Sequence, residues 1–428
     1  MNERLLQFIW QFQYYNKGEL CCRDGNSLQI LFPGNFNTNQ GPDFTDARVR
    51  IGDTTWAGAV ELHINTSDWL RHKHDNDTNY RNVVLHVVWE DDEAGKIITT
   101  KRKQSSVIPV LELKTRVSKL LLSRYSELML STAFIPCEKS ILSVPDLVWK
   151  SWKDRLLAER MTRKSGIIEI GLRANKYHWE ESFWWLLARN FGMPVNADGF
   201  EALAKSIPFK VLRKLKNDCE MLEALLFGQS GLLERRYRGA YPSVLKKHFQ
   251  YLKQKFSLQP VHVPIHFLRM RPGNFPTIRL AQMATLLSQA NHLFSGIKES
   301  GTIQDLKKML EVHAGAYWNT HYRFGQPSVY REKPIGAFMI DSIIINSITP
   351  MLFIYGEYQK EYVFKEKAIR WLQASSPEKH CMSRGFTRLG IQSANAFDSQ
   401  AFIELKTQYC DRKRCLECSI GNAILKLT

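Results

Sequence analysis

The chain has 428 residues, of which 44% are hydrophobic, and its 59 lysines and arginines outnumber its 42 aspartates and glutamates, giving a net charge of +17. This length suffices for two or three domains with buried cores, and the 8 cysteines are too few for a disulfide scaffold of this size. The basic excess favours a polyanionic partner, most simply nucleic acid, although a basic protein with no such ligand has the same composition.

Neither an export signal nor a membrane span is predicted. The first residues carry Glu3 and Arg4 and lack the uninterrupted apolar stretch of a signal peptide. The most apolar region, residues 335–355, is interrupted by Asp341 and Pro350, so it predicts a buried helix. We therefore expect a cytoplasmic protein without a membrane partner, and in reducing surroundings clustered cysteines are suited to metal binding.

Residues 1–138 are predicted to form one compact α/β domain. Apolar residues recur at helical spacing over residues 2–15. The run "NVVLHVVWE" is rich in β-branched residues and predicts a buried central strand. Further strands are predicted in "SLQILFPGNFN", in the two arms of a hairpin over residues 41–64, and in "SVIPVLELK".

The hairpin carries polar groups where a sheet would normally bury apolar ones. Because side chains alternate along a strand, residues 56–64 present one apolar face and one face with Glu61 and His63. Asp43 stands at the start of the preceding strand. Carboxylates on neighbouring strands can converge on Mg²⁺ or Mn²⁺, which activates water, and a third group beside them can position that water.

The stretches Gly41-Pro42-Asp43 and Glu61-Leu62-His63 resemble the signature of the PD-(D/E)XK nucleases. That family has a restriction-endonuclease-like fold, with a helix, a three-stranded antiparallel meander, a helix and a further strand. The resemblance implies an α+β protein whose Asp43 and Glu61 bind metal and, with His63, cut phosphodiesters. His63 stands where the family has lysine, so a non-catalytic nucleic-acid-binding protein on a degenerate nuclease fold stays open.

The segment after the hairpin is dense in groups that can bind metal. Solvated loop residues are the alternative for each of them, and a core histidine is the alternative for His86. Taken together, they also allow a hydrolase of another substrate class that uses Zn²⁺ or Mn²⁺. The candidate accessory residues are Asp68, His72, His74, Asp75, His86 and, from the later "Glu-Leu-Lys" stretch, Lys114.

The rest of the chain is predicted to be mostly helical, with a domain over residues 139–330 and a C-terminal region over residues 331–428. A loop is predicted at "SPEKHCMSRGF". The stretch "PGNFP" precedes a helix that begins near Thr277, whose start is suited either to an anion or to a simple turn. The arginines that flank it are candidates for nucleic-acid binding: Arg269, Arg271 and Arg279.

A cysteine cluster, Cys410, Cys415 and Cys418, has the spacing C-x₄-C-x₂-C. Thiolates at this spacing can bind Zn²⁺ or an iron–sulfur cluster, which needs a fourth ligand. Cys381 is the nearest candidate, Cys137 is a weaker one, and Cys21 and Cys22 are more distant alternatives. The basic loop between two of the cysteines would contact a phosphate backbone or would simply be solvated; it consists of Arg412, Lys413 and Arg414.

Longer stretches resemble a bacterial family known as the domain of unknown function 2851. They are "NQGPDFTDARV", "WAGAVELHINTSDWLRHKHD", "NVVLHVV", "RPGNFPTIRLAQ" and "YCDRKRCLECSIG". This resemblance implies no chemistry. The sequence as a whole therefore predicts a metal-dependent nuclease, and it keeps the non-catalytic binding protein and the other metal-dependent hydrolase as alternatives.

Overall fold

The structure, a computed structural model, describes residues 1–94, 96–100, 106–259, 261, 264–268, 270–289 and 292–426. The chain folds as two compact units, Met1–Lys150 with Thr407–Thr428, and Ser151–Lys406. Thr407–Thr428 thus belongs to the N-terminal unit, whereas the sequence predicted that it is part of a C-terminal region over residues 331–428. The predicted α+β class is confirmed, because a mixed sheet precedes a mostly helical region. The predicted boundaries at residues 138 and 330 stay predictions.

The N-terminal unit contains one main sheet and several short helices. Its elements are α1 (Glu3–Phe12), β1 (Leu28–Phe32), β2 (Asn35–Phe36), β3 (Phe44–Ile51), β4 (Thr54–Asn65), α2 (Asp68–Arg71), β5 (Val83–Glu90), β6 (Thr99–Thr100), β7 (Ser106–Val107), β8 (Val110–Glu112) and α3 (Lys119–Leu130). Two 3₁₀ turns, Thr78–Asn82 and Glu138–Ser143, lie between these elements and after them. This order places a helix, a meander, a short helix and a further strand in succession.

The main sheet has the order β1-β3-β4-β5-β8, with β2 beside β3. Strands β1, β3 and β4 are antiparallel neighbours, whereas β5 runs parallel to β4 and β8 parallel to β5. The first six residues of β5 are all buried, as the run of β-branched residues predicted for a strand with neighbours on both sides.

A β-bulge sets the geometry at the start of β3. The register with β4 shifts between Phe44 and Ala47, and Asp46 takes a left-handed φ of 59°. Gly34 lies against this bulge, and a Cβ there would meet the Thr45 carbonyl oxygen at 2.8 Å. The bulge turns the beginning of β3 toward the middle of β4. Asp43, the residue before β3, therefore also points toward β4.

Helix α1 packs on β4 through an apolar face. The Asn2 side chain caps this helix by accepting a hydrogen bond from the Leu5 amide at 2.9 Å. Leu6 and Ile9 are buried at helical spacing, as the sequence predicted. Gln7 lies between them in sequence and reaches the edge of the sheet.

The second unit is built of helices around a large apolar core. It contains most of α4 (Asp146–Ala174), then α5 (Trp179–Phe191), α6 (Met193–Ser206), α7 (Phe209–Leu215), α8 (Cys219–Gln229), α9 (Ala240–Phe256), α10 (Pro276–Gln289), α11 (Leu293–Glu299), α12 (Ile303–Leu310), a small hairpin of β9 (His321–Arg323) and β10 (Gln326–Pro327), α13 (Ala337–Ile343), α14 (Thr349–Gln359), α15 (Tyr362–Ala374), α16 (Cys381–Arg388) and α17 (Ala396–Glu404). A π-helical segment, Leu405–Cys410, leads back to the N-terminal unit, which ends with α18 (Ser419–Lys426).

The predicted loop at "SPEKHCMSRGF" is wrong for its second half, which forms α16. A capping box stabilises this short helix. The Ser383 hydroxyl accepts a hydrogen bond from the His380 amide at 3.0 Å, while the His380 ring accepts one from the Met382 amide at 3.3 Å. Cooperative end capping of this kind outweighs the weak helical preference of the sequence.

The most apolar helical stretch, Ala337–Gln359, passes a test of length and composition for crossing a membrane. However, 72% of the most apolar 18-residue part of this stretch is buried inside the protein. The core helix of a globular unit has this character, and the predicted buried helix is found here.

Candidate functional site

Two acidic side chains of the hairpin meet at the edge of β3 and β4. The Asp43 amide donates a hydrogen bond to Glu61 Oε2 at 3.0 Å, and the Leu62 amide donates one to Asp43 Oδ2 at 3.1 Å. Each carboxylate is thus held by a backbone group of the other strand. Among the described residues, no lysine or arginine forms an ion pair with either carboxylate.

Imidazoles surround the Glu61 carboxylate. His63 Nε2 and His74 Nε2 each lie 3.5 Å from Glu61 Oε1. His63 Nε2 also lies 3.1 Å from His72 Nδ1. His63, His72 and His74 each offer a ring nitrogen, and these three atoms lie within 4.8 Å of one another. Alternation along β4 explains why Glu61 and His63 share a face, and the turn after α2 returns the other two histidines to it.

The cluster is buried on one side and open on the other. His63 is only 2% exposed, whereas His72 faces solvent. His74 is fixed between them, because its ring stacks on Tyr80 with centroids 3.8 Å apart and meets the edge of Trp69 at 5.4 Å. A ligand can therefore reach the cluster from the His72 side, while the other groups keep their positions.

A fourth histidine stands behind the cluster. His86 Nε2 lies 2.9 Å from His63 Nδ1, and His86 is completely buried on β5. The parallel register pairs His86 with Glu61, which brings this ring behind the face that carries the site. When His63 Nε2 has no proton and faces the cluster, His63 Nδ1 is protonated and donates a hydrogen bond to His86 Nε2. This hydrogen bond fixes the tautomer of His63.

Burial raises the pKa of both carboxyl groups when no cation is near. Burial, and next the charge of Asp43, raises the pKa of Glu61 to about 9. Burial, with a further contribution from the charge of Glu3, raises the pKa of Asp43 to about 6, against the lowering effect of the Leu62 amide and the Gln7 side chain. A divalent cation between them would favour ionisation of both.

The imidazoles favour their neutral forms for the same reason. Burial, and next the neighbouring ring of His86, strongly lowers the pKa of His63. Burial also lowers the pKa of His74 to about 4 and that of His86 to about 3. Neutral imidazole is the form that binds metal, so the rings are ready to act as ligands near neutral pH.

This donor set fits a divalent transition metal. Two carboxylates and three imidazoles offer hard and borderline donors together, a mixture suited to Mn²⁺ or Zn²⁺ and, through the oxygens, to Mg²⁺. Glu61 is central, because both imidazole contacts and the Asp43 amide meet at its two oxygens. His86 is placed to orient a ligand and not to bind the metal itself.

Three candidate accessory residues have other partners. Asp68 is buried, pairs with Arg71 at 2.5 Å and accepts a hydrogen bond from the Asn65 amide, which fixes the loop after β4. Asp75 accepts a hydrogen bond from the neighbouring Asn76. Lys114 forms a half-exposed ion pair with Glu90 at 2.7 Å. Of the predicted site residues, the structure brings together Asp43, Glu61, His63, His72, His74 and His86.

The predicted cysteine ligands lie in different units. Cys410, Cys415 and Cys418 belong to the C-terminal part of the first unit. Cys381 belongs to the second unit, where it is exposed at the start of α16 with its sulfur 3.5 Å from His380 Nδ1.

The predicted nucleic-acid-binding arginines and lysine have varied surroundings. Arg412 and Arg271 are exposed, and Arg269 lies outside the described residues. Lys413 donates to the Met129 carbonyl, and Arg414 to Glu417.

Arg279 is only 5% exposed. It donates to Asn274 Oδ1 at 2.6 Å and to Gln282 Oε1 at 2.9 Å. These contacts hold the loop before α10, and they keep this guanidinium from surface phosphates.

Two residues near the site were missed in the sequence. Gln7 donates a hydrogen bond to Asp43 Oδ1 at 2.7 Å, and the charge of Glu3 acts on both carboxylates. Both belong to the first two turns of α1. Only their position on the helix that covers β4 connects them to the hairpin, and no local motif marks that position.

Comparisons with known proteins bear on the family and not on the chemistry. No curated protein and no solved structure matches the chain. The family model described as "Protein of unknown function (DUF2851)" matches residues 3–380, which is most of the chain. The chain therefore belongs to the DUF2851 family.

Proposed function

We propose that the N-terminal unit is a metal-dependent hydrolase that cleaves phosphodiester bonds of nucleic acid. The observation that carries the proposal is the convergence of Asp43 and Glu61, two largely buried carboxylates held together without a basic partner among the described residues. Buried carboxylates destabilise a fold unless a positive charge compensates them. A divalent cation is the compensating charge that this arrangement, with its three imidazoles, fits best.

Two further observations support nucleic acid as the substrate. The net charge of +17 favours a polyanion. The succession of helix, antiparallel meander, short helix and parallel strand is the order that the resemblance to PD-(D/E)XK nucleases implies, with Asp43 before the second meander strand and Glu61 on the third.

The residues of the cluster would share the work of the proposed reaction. Asp43, Glu61 and the accessible imidazoles would hold the metal, which would supply Lewis-acid stabilisation of the phosphate and a more acidic water. Glu61 Oε1, between the rings of His63 and His74, is placed to accept a proton from an attacking water. His72, at the solvent side, lies where the substrate enters.

The departure at His63 changes the charge available at the site. The family's lysine is a cation, whereas His63 is kept neutral by burial and by its neighbouring rings. A neutral imidazole can bind metal or accept a hydrogen bond, but it contributes no fixed positive charge to the transition state. The site therefore depends more strongly on its metal than one with lysine in this position.

The proposal is tested with chelator-treated full-length protein and labelled single- and double-stranded DNA and RNA. We expect cleavage with Mn²⁺ or Mg²⁺ that falls by at least about 100-fold in Asp43→Asn and Glu61→Gln, since even indirect metal contacts cost up to about that much. Asp46→Asn is the matched control, because Asp46 is an exposed carboxylate of the same strand and asparagine tolerates its left-handed φ.

The outcomes separate the alternatives. Metal and nucleic acid binding without cleavage would favour the non-catalytic binding protein. A hydrolase of another substrate class would be favoured by metal binding without affinity for nucleic acid, if the activity also requires Zn²⁺, His72 and His74. The close grouping of three imidazoles is the observation that supports this second candidate. Absence of metal binding in wild type would overturn both hydrolase readings.

A further inference from the structure

The C-terminal cysteines are held in a compact turn. Cys415–Glu417 forms one 3₁₀ turn, and the Cys418 amide donates to the Cys415 carbonyl at 3.3 Å. Helix α18 starts at the next residue and packs so closely that a Cβ on Gly421 would lie 2.2 Å from the Cys415 carbonyl oxygen. Only glycine fits there, so the backbone between the two cysteines is fixed by packing.

A further cysteine from a distant part of the sequence joins this turn. Cys137 immediately precedes the 3₁₀ turn Glu138–Ser143, which packs against α18. Cys137, Cys415 and Cys418 are all at least nine-tenths buried. Burial raises the pKa of Cys137, and the neighbouring Cys418 and Cys415 raise it further, which places the three residues in the same buried region beside α18.

Cys410 lies at the end of the π-helical segment that leads into the same turn. The Lys413 amide donates to the Cys410 carbonyl at 3.1 Å, and the Arg414 amide donates to the Tyr409 carbonyl at 2.9 Å, so the chain folds back sharply after Cys410. This reversal brings the C-x₄-C and C-x₂-C spacings into one short loop.

We propose that Cys137, Cys410, Cys415 and Cys418 bind a thiolate-ligated metal centre, a zinc ion or an iron–sulfur cluster, that fastens the C-terminal segment to the N-terminal unit. Four thiolates, two of them in a C-x₂-C pair, are the ligand set of structural zinc sites and of iron–sulfur clusters. The proposal replaces Cys381, the fourth ligand suggested by proximity in sequence, with Cys137, which lies in the same unit as the other three.

The segment fastened in this way holds helix α1. Glu417, between two of the cysteines, forms an ion pair with Arg4, and Asn422 Oδ1 accepts a hydrogen bond from the Tyr14 hydroxyl at 2.6 Å. Helix α1 in turn carries Gln7, which binds Asp43. The thiolate centre therefore stabilises the helix that positions one carboxylate of the candidate site; this last link, though not the metal centre itself, rests on the proposed function.

The experiment measures zinc and iron in purified full-length protein, with a visible absorption spectrum, in wild type and in single serine variants. We expect about one zinc per chain in a colourless protein, or about two or four irons with broad visible absorption. Cys137→Ser and Cys418→Ser should lower that metal to less than about a tenth of the wild-type content, whereas the matched control Cys381→Ser should retain it.

A second measurement covers the case in which Cys137→Ser fails to fold. In wild type, removal of the metal should make about four additional thiols reactive and should release a C-terminal fragment on brief proteolysis. The Cys381→Ser protein should show the same gain. Metal loss in Cys381→Ser but not in Cys137→Ser, or wild type without either metal and with unchanged thiol reactivity, would overturn the proposal. Neither result depends on the Asp43 and Glu61 variants, so its failure is distinguishable from failure of the hydrolase.

Discussion

Two of the buried glutamates, which lie in different units, have opposite surroundings. Glu404 in the helical unit is 2% exposed and receives Arg163 at 2.5 Å and Arg160 at 3.3 Å. Glu61 in the N-terminal unit is 5% exposed and faces another carboxylate and neutral imidazoles.

The two sites differ in whether nearby cations compensate the buried carboxylate. Around Glu404 the chain supplies its own cations. Nearby, burial lowers the pKa of Lys164 to about 7, and the Lys164 ammonium donates hydrogen bonds to Asn346 and Gln400 at 2.9 Å. Around Glu61 the described residues supply none. A buried cluster that is complete in itself stabilises the fold, whereas one that lacks positive charge is suited to receive it from a bound ion.

The largest expected effect comes from breaking the complete cluster. Glu404→Gln should destabilise the protein by about 3–5 kcal/mol, because two partly buried guanidinium groups lose their carboxylate. The measurement is chemical denaturation. The control Glu159→Gln, which removes a more exposed pair with Arg155 one helical turn apart, should cost about 0.5 kcal/mol or less. Equal effects of the two variants would contradict the assignment of Glu404 as a structural charge.

The corresponding change at the incomplete cluster should act on metal binding and not on folding. Glu61→Gln should weaken Mn²⁺ binding by at least about 100-fold while the metal-free protein becomes as stable as wild type or more so, because a costly buried carboxylate is gone. Calorimetric titration and thermal unfolding measure the two quantities. Asp46→Asn should change neither. A large loss of stability in metal-free Glu61→Gln would make Glu61 a structural residue like Glu404.

Removal of the ring behind the site should have an intermediate effect. His86→Phe keeps the volume but takes away the acceptor for His63 Nδ1, so Mn²⁺ affinity should fall by about 10–100-fold. His86→Gln retains an acceptor oxygen and should recover most of that loss. If both variants lose affinity equally, or if only stability changes, His86 fills space and does not orient His63.

The pH dependence of stability should distinguish the clusters in metal-free protein. Unfolded Glu61 releases its proton near pH 4.5, whereas the folded group keeps it up to about pH 9, so stability falls as pH rises through this window. His63 and His74 have lowered pKa values, so their contribution is lost as pH falls below 6.5.

Between pH 6.5 and about 9 the melting temperature of wild type should fall by a few degrees relative to that of Glu61→Gln, because the shifted pKa values of Lys164 and Glu223, which act over the same range, are common to both proteins. The stabilisation by Mn²⁺ should grow with pH because binding displaces protons. The same pH profile in wild type and Glu61→Gln would contradict the buried carboxylate pair.

The smallest expected effect is that of Gln7. Gln7→Met keeps the length of the side chain and removes the hydrogen bond to Asp43 Oδ1, so Mn²⁺ affinity should fall by less than about 10-fold, the size of one typical intramolecular hydrogen bond. The exposed neighbour Gln11 provides the control as Gln11→Met. No change in affinity would show that the Gln7 amide does not position Asp43.

Local patterns predicted much of the N-terminal unit. The apolar spacing of residues 2–15 corresponds to α1, and the β-branched run around His86 corresponds to the buried strand β5. Alternation along β4 placed Glu61 and His63 on one face, because a strand fixes the direction of its side chains whatever packs against it.

Features that depend on distant contacts were not predictable in this way. Gln7 meets Asp43 only because α1 covers β4, and Cys137 lies in the same buried region as Cys418 only because the C-terminal segment belongs to the first unit. Arg279 showed the converse limit: its spacing suited an anion site, yet its burial and its contacts with Asn274 and Gln282 are settled by packing that no short window contains.

The most direct test of the central claim is anomalous diffraction at the manganese edge from crystals of the full-length protein soaked in Mn²⁺. We expect a strong peak within coordination distance of Glu61, of Asp43 and of at least one ring among His63, His72 and His74. Crystals of Glu61→Gln should show no such peak. Saturating Mn²⁺ with no peak between these side chains would contradict the central claim, and the N-terminal unit would then be a fold that tolerates protonated buried carboxyl groups without using them.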